Sequence, residues 1–231
     1  MDGTAGKRVT IILPALNEEQ TVGKVIDEIP REAIEGRGYA LEVVVVDNDS
    51  TDRTREIAEA KGATVLVERR RGKGNAVRAA FKSVDGDFMI MLDADYTYPA
   101  EHIPSLLDVL QNGCDVVIGS RLKGRREAGA IKKLNVVGNY LLVFMATVLY
   151  GTRISDVCSG YWGFRKEVVE RLNLDAVGFE LEANMFAEVA KKGYRIAEVP
   201  VMYRRRPNES KLGSLRAGFR IGRTLVKKRF Q

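Results

Sequence analysis

The sequence predicts an α/β fold, in which helices flank both faces of a parallel sheet. Runs of valine, isoleucine and leucine recur along the first 121 residues and alternate with polar, helix-forming stretches. Near-continuous apolar strands are typical of parallel sheets that crossover helices cover on both faces. Because such sheets bind ligands at the carboxyl ends of their strands, the polar residues at those ends form the candidate site.

The first half of the chain divides into five predicted strands with helices between them. Pro14 ends the first apolar run and Asp47 ends the second, and the helix after the second strand stops at Gly62. The predicted strands are 9–13, 41–46, 63–69, 87–92 and 114–120, and the predicted helices are 19–29, one that ends near 62 and one that opens at 72.

After Arg121 the pattern changes to fewer strands and more basic connections. An apolar helix is predicted at 136–150, followed by a short strand within 155–168 and by a helix and strand within 180–206. The chain ends in a basic amphipathic helix at 214–231.

No proline- or serine-rich linker divides the chain, so we predict one domain at residues 1–213. The change of pattern at Arg121 divides it into halves of about 8–121 and about 122–213. Residues 214–231 are predicted to be a C-terminal extension.

Composition indicates a globular protein with a polyanionic partner. The formal net charge of +6 is consistent with a nucleotide, a lipid phosphate, an anionic membrane surface or nucleic acid. Cys114 and Cys158 have no metal-ligand spacing, so we expect reduced thiols in a cytoplasmic protein. No signal-peptide pattern opens the sequence. The longest apolar run, 140–150, is shorter than the about 20 residues that span a bilayer. We therefore expect a soluble or peripheral protein.

The stretch "DFMIMLDADYTYP" ends a buried strand on two acids, Asp93 and Asp95. Acids that flank one residue of an extended segment point to the same side. Two carboxylates there repel each other unless a cation or a proton lies between them. Two such acids together with phosphate oxygens are a usual set of ligands for Mg²⁺. The alternative is that Asp95 only caps the next helix.

Two other strand ends carry residues suited to a nucleotide. Asp47 could accept hydrogen bonds from a base or a ribose, whereas Asp49, Ser50 and Asp52 could simply cap the following helix. We expect both, with Asp47 functional and Ser50 or Thr51 as the cap. The stretch "GKGNA" has the glycines of a phosphate-approaching turn at a helix start, and Lys73 adds a positive charge. It lacks the P-loop pattern, so an ordinary loop remains the alternative.

Taken together, these stretches resemble the family 2 glycosyltransferases, whose GT-A fold is Rossmann-like, with a mixed, mainly parallel sheet flanked by helices. The second half resembles the branch of dolichol-phosphate mannosyltransferases and related polyprenyl-phosphate sugar synthases. The resemblance covers about residues 8–213 and implies a catalytic domain with a nucleotide-binding half at about 8–121 and an acceptor half at about 122–213. The stretches that carry it are "LPALNEE", "VVDNDSTDRT", "GKGNA", "LDADYTYP", "GSR", "SDVCSGYWGFRKEVV" and "GYRIAEVPVMYRRRPNESKL".

The resemblance implies a role for each matching residue. The nucleotide-binding residues would be Pro14, Ala15, Glu18, Asp47, Asp49, Lys73 and Asp93; the metal ligands Asp93 and Asp95; the catalytic residues Asp93, Asp95 and Arg121; and the residues that bind acceptor or phosphate Arg121, Ser159, Arg205, Arg206 and Lys211.

Three positions depart from the mannosyltransferase pattern. Leu16 stands where an aromatic is common, Asn48 stands in the second acidic position of "DDxS", and Thr97 stands where glutamine is common. These departures leave the reaction class intact and leave open which base and sugar are used, with GDP-mannose, UDP-glucose and UDP-N-acetylhexosamine as candidate donors.

The implied reaction is an inverting transfer of a sugar from a nucleotide-diphosphate sugar to a polyprenyl (dolichyl) phosphate, with Mg²⁺ or Mn²⁺ as cofactor. A phosphate monoester is already charged at neutral pH, so it needs little help from a general base. Such an acceptor requires contact with a membrane, and helices 136–150 and 214–231 are the candidate contacts. The alternatives are a core helix for the first and a docked helix or oligomer contact for the second. We expect a peripheral protein on the cytoplasmic face.

Other functions fit the sequence less well. A sugar-1-phosphate nucleotidyltransferase would have a glycine-rich loop after the first strand, and "LPALNEE" has no glycine. A family 2 enzyme with a soluble saccharide acceptor is the closer alternative. A nucleic-acid binder would concentrate lysine and arginine on one face, whereas acids line the predicted crevice. We therefore expect no nucleic-acid partner.

Overall fold

The described residues, 6–207 and 214–231 in this computed structural model, fold around one seven-stranded sheet. The strands are β1 (Arg8–Ala15), β2 (Ala40–Asp47), β3 (Thr64–Val67), β4 (Phe88–Met91), β5 (Val116–Ser120), β6 (Trp162–Arg165) and β7 (Ile196–Pro200). Their order across the sheet is β3-β2-β1-β4-β6-β5-β7. Strand β6 runs antiparallel to β4 and β5, and the other pairs are parallel. The predicted mixed, mainly parallel sheet is confirmed.

Helices cover both faces of this sheet. They are α1 (Val22–Asp27), α2 (Arg31–Glu35), α3 (Thr54–Ala60), α4 (Lys73–Ser83), a 3-10 turn (Ala100–His102), α5 (Ile103–Gln111), α6 (Lys133–Tyr150), α7 (Lys166–Val169), α8 (Leu181–Lys191) and α9 (Ser214–Phe230).

The sheet separates two hydrophobic cores. Ile11 of β1 belongs to the core beneath α1, α2, α3 and α5, and Ile12 belongs to the core beneath α4, α6, α8 and α9. Both side chains are fully buried. Successive strand residues point to opposite faces, so a strand covered on both sides must be apolar throughout. This is why the central strands lack an alternating polar pattern.

Strand β1 is longer than predicted, because it continues through Pro14 to Ala15. At Pro14 the strand still pairs with β2, but the ladder with β4 has already ended at Ile12. Proline lacks an N–H group, and it is tolerated where one side of a strand needs no donor. The strand therefore delivers Pro14 and Ala15 to the ligand edge of the sheet.

Helix α6 is 18 residues long, so the 11-residue apolar run underestimates it. The preceding residues 133–139 continue the helix although two of them are asparagines. Among the described residues, α6 is the one helix long and apolar enough to cross a membrane, with a mean hydropathy of 1.3. Only Asn139, Leu142 and Ala146 are buried. The helix therefore lies on the surface, and the expected core-helix alternative does not describe it.

Helix α9 packs beside α6 and α8. Ala217, Ile221 and Leu225 point inward and are buried. The Tyr150 hydroxyl donates a hydrogen bond to the Leu225 carbonyl at 2.6 Å, which joins α6 to α9. The division of the chain into 1–213 and an extension at 214–231 stays a prediction, while the amphipathic helix itself is present.

Candidate active site

The carboxyl edge of the sheet opens into one cleft of about 1730 Å³. One end of the cleft is polar and lies over β1 and β4, and the other end is apolar and lies between α6 and α9. Nine of the predicted site residues line it: Pro14, Ala15, Glu18, Lys73, Asp93, Asp95, Arg121, Arg205 and Arg206.

Asp93 follows β4 and pairs with Lys73 at the start of α4. The Lys73 Nζ atom lies 2.5 Å from Asp93 Oδ1 and 2.6 Å from Glu182 Oε1. Burial by itself would lower the pKa of Lys73, but the two carboxylates outweigh it and raise that pKa above its ordinary value. Burial raises the pKa of Glu182, against the lowering effect of Lys73. The ammonium therefore stays charged between two acids.

A glycine turn brings Lys73 to this place. Gly72 has φ of +124°, which a residue with a side chain rarely adopts. A Cβ atom on Gly74 would lie 2.0 Å from the Ala176 carbonyl oxygen, so only glycine allows this approach. The Gly74 N–H donates to the Val177 carbonyl at 2.8 Å. In the described structure this turn packs against the loop before α8.

Asp95 lies deeper than Asp93. Its Oδ1 atom accepts hydrogen bonds from the Thr97 hydroxyl at 2.5 Å and from the Thr97 N–H at 3.1 Å. Its Oδ2 atom lies 3.4 Å from Arg206 Nη1, and Arg206 Nη2 lies 2.6 Å from Glu18 Oε1. Burial and the negative charge of Asp93 raise the pKa of Asp95, although Arg206 and Thr97 oppose this. The helix-cap alternative is wrong, because Thr97 precedes the next helical element, the 3-10 turn at Ala100–His102, which has no side-chain cap.

The backbone after Asp95 is held in an unusual conformation. Tyr96 has φ of +66°, a region that is costly for a bulky side chain. The Tyr96 hydroxyl donates to Glu28 at 2.7 Å, and the Arg204 guanidinium lies 4.3 Å from the centre of the tyrosine ring. Arg204 also pairs with Glu28 at 2.8 Å. This clamp fixes the direction in which the Asp95 carboxylate points.

Arg121 follows β5 and is held by a buried acid. Its guanidinium makes two bonds of 2.7 Å to the Asp156 carboxylate, which is fully buried. Asn139 of α6 donates to the same carboxylate at 3.0 Å. Burial would lower the pKa of Arg121, but Asp156 outweighs it and raises that pKa well above its ordinary value. The arginine is therefore a fixed cation, and α6 is connected to it through Asn139.

Ser159 lies beneath the residues that line the cleft and is not itself one of them. It is fully buried, and its hydroxyl donates to the Gly119 carbonyl at 2.5 Å. The next residue, Gly160, lies against Asp93, where an added Cβ would come 2.2 Å from Oδ2. The Gly160 N–H donates to the Tyr98 hydroxyl at 2.7 Å. Contact between Ser159 and a phosphate stays a prediction.

Asp47 is the last residue of β2, and Asp49 follows two residues later. Neither side chain lines the cleft. Asp47 is buried, and its carboxylate binds Arg55 at 2.7 Å and accepts the Ser50 N–H at 3.1 Å. Asp49 is half exposed and pairs with Arg71 at 3.2 Å. Their nucleotide-binding roles stay predictions. Of the predicted capping residues, Asp52 accepts the Thr54 N–H at 3.0 Å at the start of α3. The preferred cap by Ser50 or Thr51 is wrong, because both hydroxyls bond Asn17 instead.

Two predicted phosphate ligands lie in the segment after β7. Arg205 is exposed, and its backbone N–H donates to Glu127 at 2.7 Å. Arg206 meets Asp95 and Glu18 as described above. Lys211 lies outside the described residues.

Asp93 and Asp95 fit a divalent cation. Their carboxylates are hard oxygen donors of the kind that Mg²⁺ and Mn²⁺ accept, and Lys73 and Arg206 already compensate their charge. Among the described residues no cluster of three or more His, Cys, Asp or Glu could hold a metal by itself. Oxygen atoms of a bound diphosphate would complete the coordination, as is usual where Mg²⁺ is bound with a nucleotide.

Three residues of the site are absent from the sequence-based assignment. Glu182 binds Lys73 and Asp156 binds Arg121, each from a distant part of the sequence, and Asn139 binds Asp156. Asp156 lies in the motif "SDVCSG" that already indicated Ser159, but nothing in that motif pairs it with Arg121. Nothing in the local sequence marks Glu182 as the partner of Lys73.

Comparison with known proteins agrees with this geometry. Residues 10–172 match the family described as glycosyl transferase family 2. A dolichyl-phosphate hexose transferase of Haloferax volcanii is 37% identical over 95% of this chain and 92% of that protein. A dolichol-phosphate mannosyltransferase of Pyrococcus furiosus is 34% identical over 89% of this chain, which spans 59% of that protein.

A solved structure extends the agreement to three dimensions. Glucosyl-3-phosphoglycerate synthase from Mycobacterium tuberculosis, in complex with Mn²⁺, UDP-glucose and phosphoglyceric acid, superposes with a TM-score of 0.79. That chain is 25% identical, and the match covers 97% of this chain and 80% of the synthase. The predicted resemblance and fold are confirmed: this chain belongs to glycosyl transferase family 2 and is a glycosyltransferase with the GT-A fold.

Proposed function

We propose that this glycosyltransferase moves a sugar from a nucleotide-diphosphate sugar to the phosphate of a polyprenol, with inversion at the anomeric carbon. The observation that carries the proposal is the shape of the cleft, which joins the charged residues at the sheet edge to an apolar channel between α6 and α9. A soluble sugar acceptor would have no use for the apolar end. A lipid phosphate has a charged head and an apolar chain, and so it matches both ends.

The polar end suits the donor. Lys73 and Arg206 provide positive charge beside Asp93 and Asp95, and they are positioned to meet the charge that grows on a leaving diphosphate. Asp93 and Asp95 would hold Mg²⁺ or Mn²⁺, which when bound neutralises part of that charge. The solved relative with Mn²⁺ and UDP-glucose supports this assignment.

Arg121 suits the acceptor phosphate. Its guanidinium is fixed by Asp156 and lies 5.3 Å from the centre of the Tyr203 ring, between the polar end and α6. A guanidinium held by two hydrogen bonds keeps donors free for a phosphate oxygen. The phosphate oxygen attacks the anomeric carbon directly. Its negative charge makes a general base unnecessary.

An apolar outer face on α6 and α9 supports access to lipid. We define the docking face as the large apolar residues of these two helices that are between 41% and 80% exposed: Leu134, Val137, Tyr140, Leu141, Phe144, Val148, Phe219, Val226 and Phe230. Exposed cations of α9 rim it, including Arg216, Arg220 and Arg223. An apolar face with a basic rim lies well in the interface of an anionic membrane. We infer peripheral attachment through this face, on the cytoplasmic side.

The experiment is an incubation of the protein with Mg²⁺ or Mn²⁺, a short polyprenyl phosphate and a panel of nucleotide sugars. The products are analysed by mass spectrometry. We expect one donor to give a sugar-phosphate-lipid, and no product when EDTA removes the metal. The same panel with phosphoglyceric acid and simple saccharides as acceptors provides the comparison.

Two outcomes would change the proposal. Transfer to a soluble acceptor with none to the lipid would replace the polyprenyl phosphate by that acceptor. Product formation at an undiminished rate in EDTA would remove the divalent cation while leaving the donor and acceptor in place.

A further inference from the structure

Lys73 lies between two carboxylates that come from different parts of the fold. Its Nζ atom is 2.5 Å from Asp93, which follows β4, and 2.6 Å from Glu182 in the first turn of α8. The lysine side chain is 13% exposed and the glutamate side chain 8%. Glu182 also lines the cleft. The pair is therefore part of the wall that a donor would contact.

The backbone holds Lys73 and Glu182 in a fixed relation. The glycine turn that carries Lys73 donates from Gly74 to the Val177 carbonyl, and Arg78 of α4 donates to the Ala176 carbonyl at 3.0 Å. The loop that contains these carbonyls leads directly into α8. Its approach to α4 leaves no room for a Cβ at Gly74. Glu182 is thus placed to receive the ammonium whichever way Asp93 turns.

The opposite side of the site repeats this arrangement. Arg206 bridges Asp95 to Glu18, as Lys73 bridges Asp93 to Glu182. In each case one acid belongs to the D-x-D pair, which is Asp93 and Asp95. The other acid comes from a separate part of the chain and is buried. The Coulomb attractions of a shared cation to its two carboxylates add, so the cation stays paired with one acid when a metal takes the other. The second acid therefore lowers the cost of releasing the D-x-D carboxylate to a metal.

We propose that Glu182 is a positioning residue that keeps Lys73 beside the diphosphate site while leaving the Asp93 carboxylate able to take the divalent cation of the donor. The proposal rests on the metal site in the proposed function. Without Glu182, the ammonium has Asp93 as its sole carboxylate partner among those described here and competes with the metal for it. The residue acts through Lys73 and has no need to touch the donor.

The test is the affinity for Mn²⁺ at saturating UDP or GDP, measured by calorimetry on the full chain. We expect Glu182→Gln to raise the apparent Kd of Mn²⁺ about tenfold, which corresponds to about 1.4 kcal/mol. Glu188→Gln is the matched control. Glu188 is a buried acid of the same helix that pairs with Lys192 at 2.8 Å, and it does not line the cleft. Its loss should lower the melting temperature and leave the Mn²⁺ affinity unchanged.

A double-variant cycle separates the proposed route from a direct effect of the glutamate charge. In a Lys73→Met background, Glu182→Gln should have no further effect on Mn²⁺ affinity, because the competing ammonium is already gone. A tenfold effect that persists in this background would overturn the proposal. If the single Glu182→Gln protein does not fold, the comparison of the double variant with Lys73→Met still tests the proposal.

The conservative variant completes the design. Glu182→Asp keeps the negative charge, and the Lys73 stem is long enough to follow it, so Mn²⁺ affinity should return close to the original value. A Glu182→Asp protein as weak as Glu182→Gln would contradict the proposal. Unchanged Mn²⁺ affinity in Glu182→Gln would overturn the role of Glu182 while the metal site stands. An unmodified protein that binds no Mn²⁺ would overturn the metal site and this role together, and transfer to lipid would still be measured separately.

Discussion

The two ends of the cleft are built in opposite ways. At the polar end, each acid of the D-x-D pair has its own cation, and each of those cations has a second acid. At the apolar end, Leu141 is 61% exposed and Phe219 is 75% exposed, with nothing in the described structure covering them. A buried charge without a partner is costly, whereas an exposed apolar side chain is tolerated until a surface covers it. The charges of the polar end are therefore paired with one another within the described structure, whereas the apolar end lacks a covering surface.

This difference also explains why the two ends depend on different kinds of evidence. The polar end is recognised from individual residues and distances. The apolar end is recognised from the combined surface of two helices. Variants that affect one end and spare the other therefore test whether the division is real.

The largest effect on the polar end is expected from Asp95→Asn. The amide removes the negative charge that a divalent cation requires, and it leaves Arg206 paired only with Glu18 among the described acids. Transfer should fall by at least about a thousandfold, since preorganised electrostatic stabilisation is the main source of rate here. Glycolipid formation measured by mass spectrometry checks the rate.

Asp27→Asn is the control for this prediction. Asp27 is an exposed acid that pairs with Lys61 at 2.6 Å, away from the cleft. It should keep full activity. Near-normal turnover in Asp95→Asn, with an unchanged melting temperature, would contradict the assignment of Asp95.

Gly160→Ala should affect the polar end by steric displacement of a side chain, without any change of charge. The added methyl group would come 2.2 Å from the Asp93 carboxylate, and the atom it meets is the end of a side chain rather than backbone. The carboxylate would move while the fold is kept, and a displacement of about 1 Å in a site can cost roughly a hundredfold in rate. Steady-state kinetics together with the melting temperature distinguish this outcome from unfolding.

Gly138→Ala provides the comparison for Gly160→Ala. An added methyl group at Gly138 meets no atom within 4 Å. Its kinetics should match those of the unmodified protein. Equal kinetics for both variants would show that the position of Asp93 is not critical.

The polar end was largely predictable because its residues lie in short motifs at strand ends. Asp93 and Asp95 follow an apolar strand, and the turn before Lys73 is marked by its glycines. Glu182 and Asp156 were not predictable in the same way. Each is one acid among many, and its partner is 109 residues away for Glu182 and 35 residues away for Asp156. A single sequence carries no signal for such long-range pairs.

The apolar end was predictable as one apolar helix and one amphipathic helix but not as one surface. The sequence left α6 undecided between a core helix and a membrane contact, because both have the same composition. The structure excludes the core helix, since few of the α6 side chains are buried. Gly222 of α9 lies beside Met145 and Leu142 of α6, which brings the two apolar faces together. That contact joins residues 77 and 80 positions apart and has no local pattern.

The docking face, which continues outward from the apolar end, is tested by Phe144→Glu. Phe144 lies on the outer side of α6, so a charge there should leave the fold intact and weaken attachment to the membrane. Burial of a phenylalanine side chain contributes about 1.5–3 kcal/mol, so binding to anionic liposomes should fall at least about tenfold. Co-sedimentation with vesicles that contain phosphatidylserine measures it.

Val67→Glu is the control for the docking face. Val67 is 46% exposed on β3, at the far edge of the sheet. It should leave liposome binding unchanged. Equal binding of Phe144→Glu and the unmodified protein would remove α6 from the docking face, while unchanged donor affinity in Phe144→Glu would confirm that the two ends are independent.

The smallest effect is expected at the segment that follows β7 and lines the cleft. This segment, 201–207, carries Tyr203 and Arg206 into the cleft, and it is tied down where the Met202 N–H donates to His102 Nε2 at 3.0 Å. Burial lowers the pKa of His102 from its usual 6.5, and the nearby Arg204 lowers it further, although Glu101 opposes this. The folded protein therefore favours the neutral imidazole, which alone can accept this hydrogen bond.

Lowering the pH should weaken the hydrogen bond between the Met202 N–H and His102. Because the unfolded chain takes up the proton at a higher pH than the folded one, the contribution of His102 to stability is full above about pH 6.5 and is lost as the pH falls below that value. The loss should be about 1 kcal/mol, the typical net contribution of one hydrogen bond. Urea unfolding at pH 7.5 and pH 5.5 measures it, with His102→Gln as the comparison, since glutamine offers an acceptor that does not titrate. The fall in unfolding free energy between the two pH values should be smaller in His102→Gln, and an equal fall in both proteins would mean that His102 does not hold this segment.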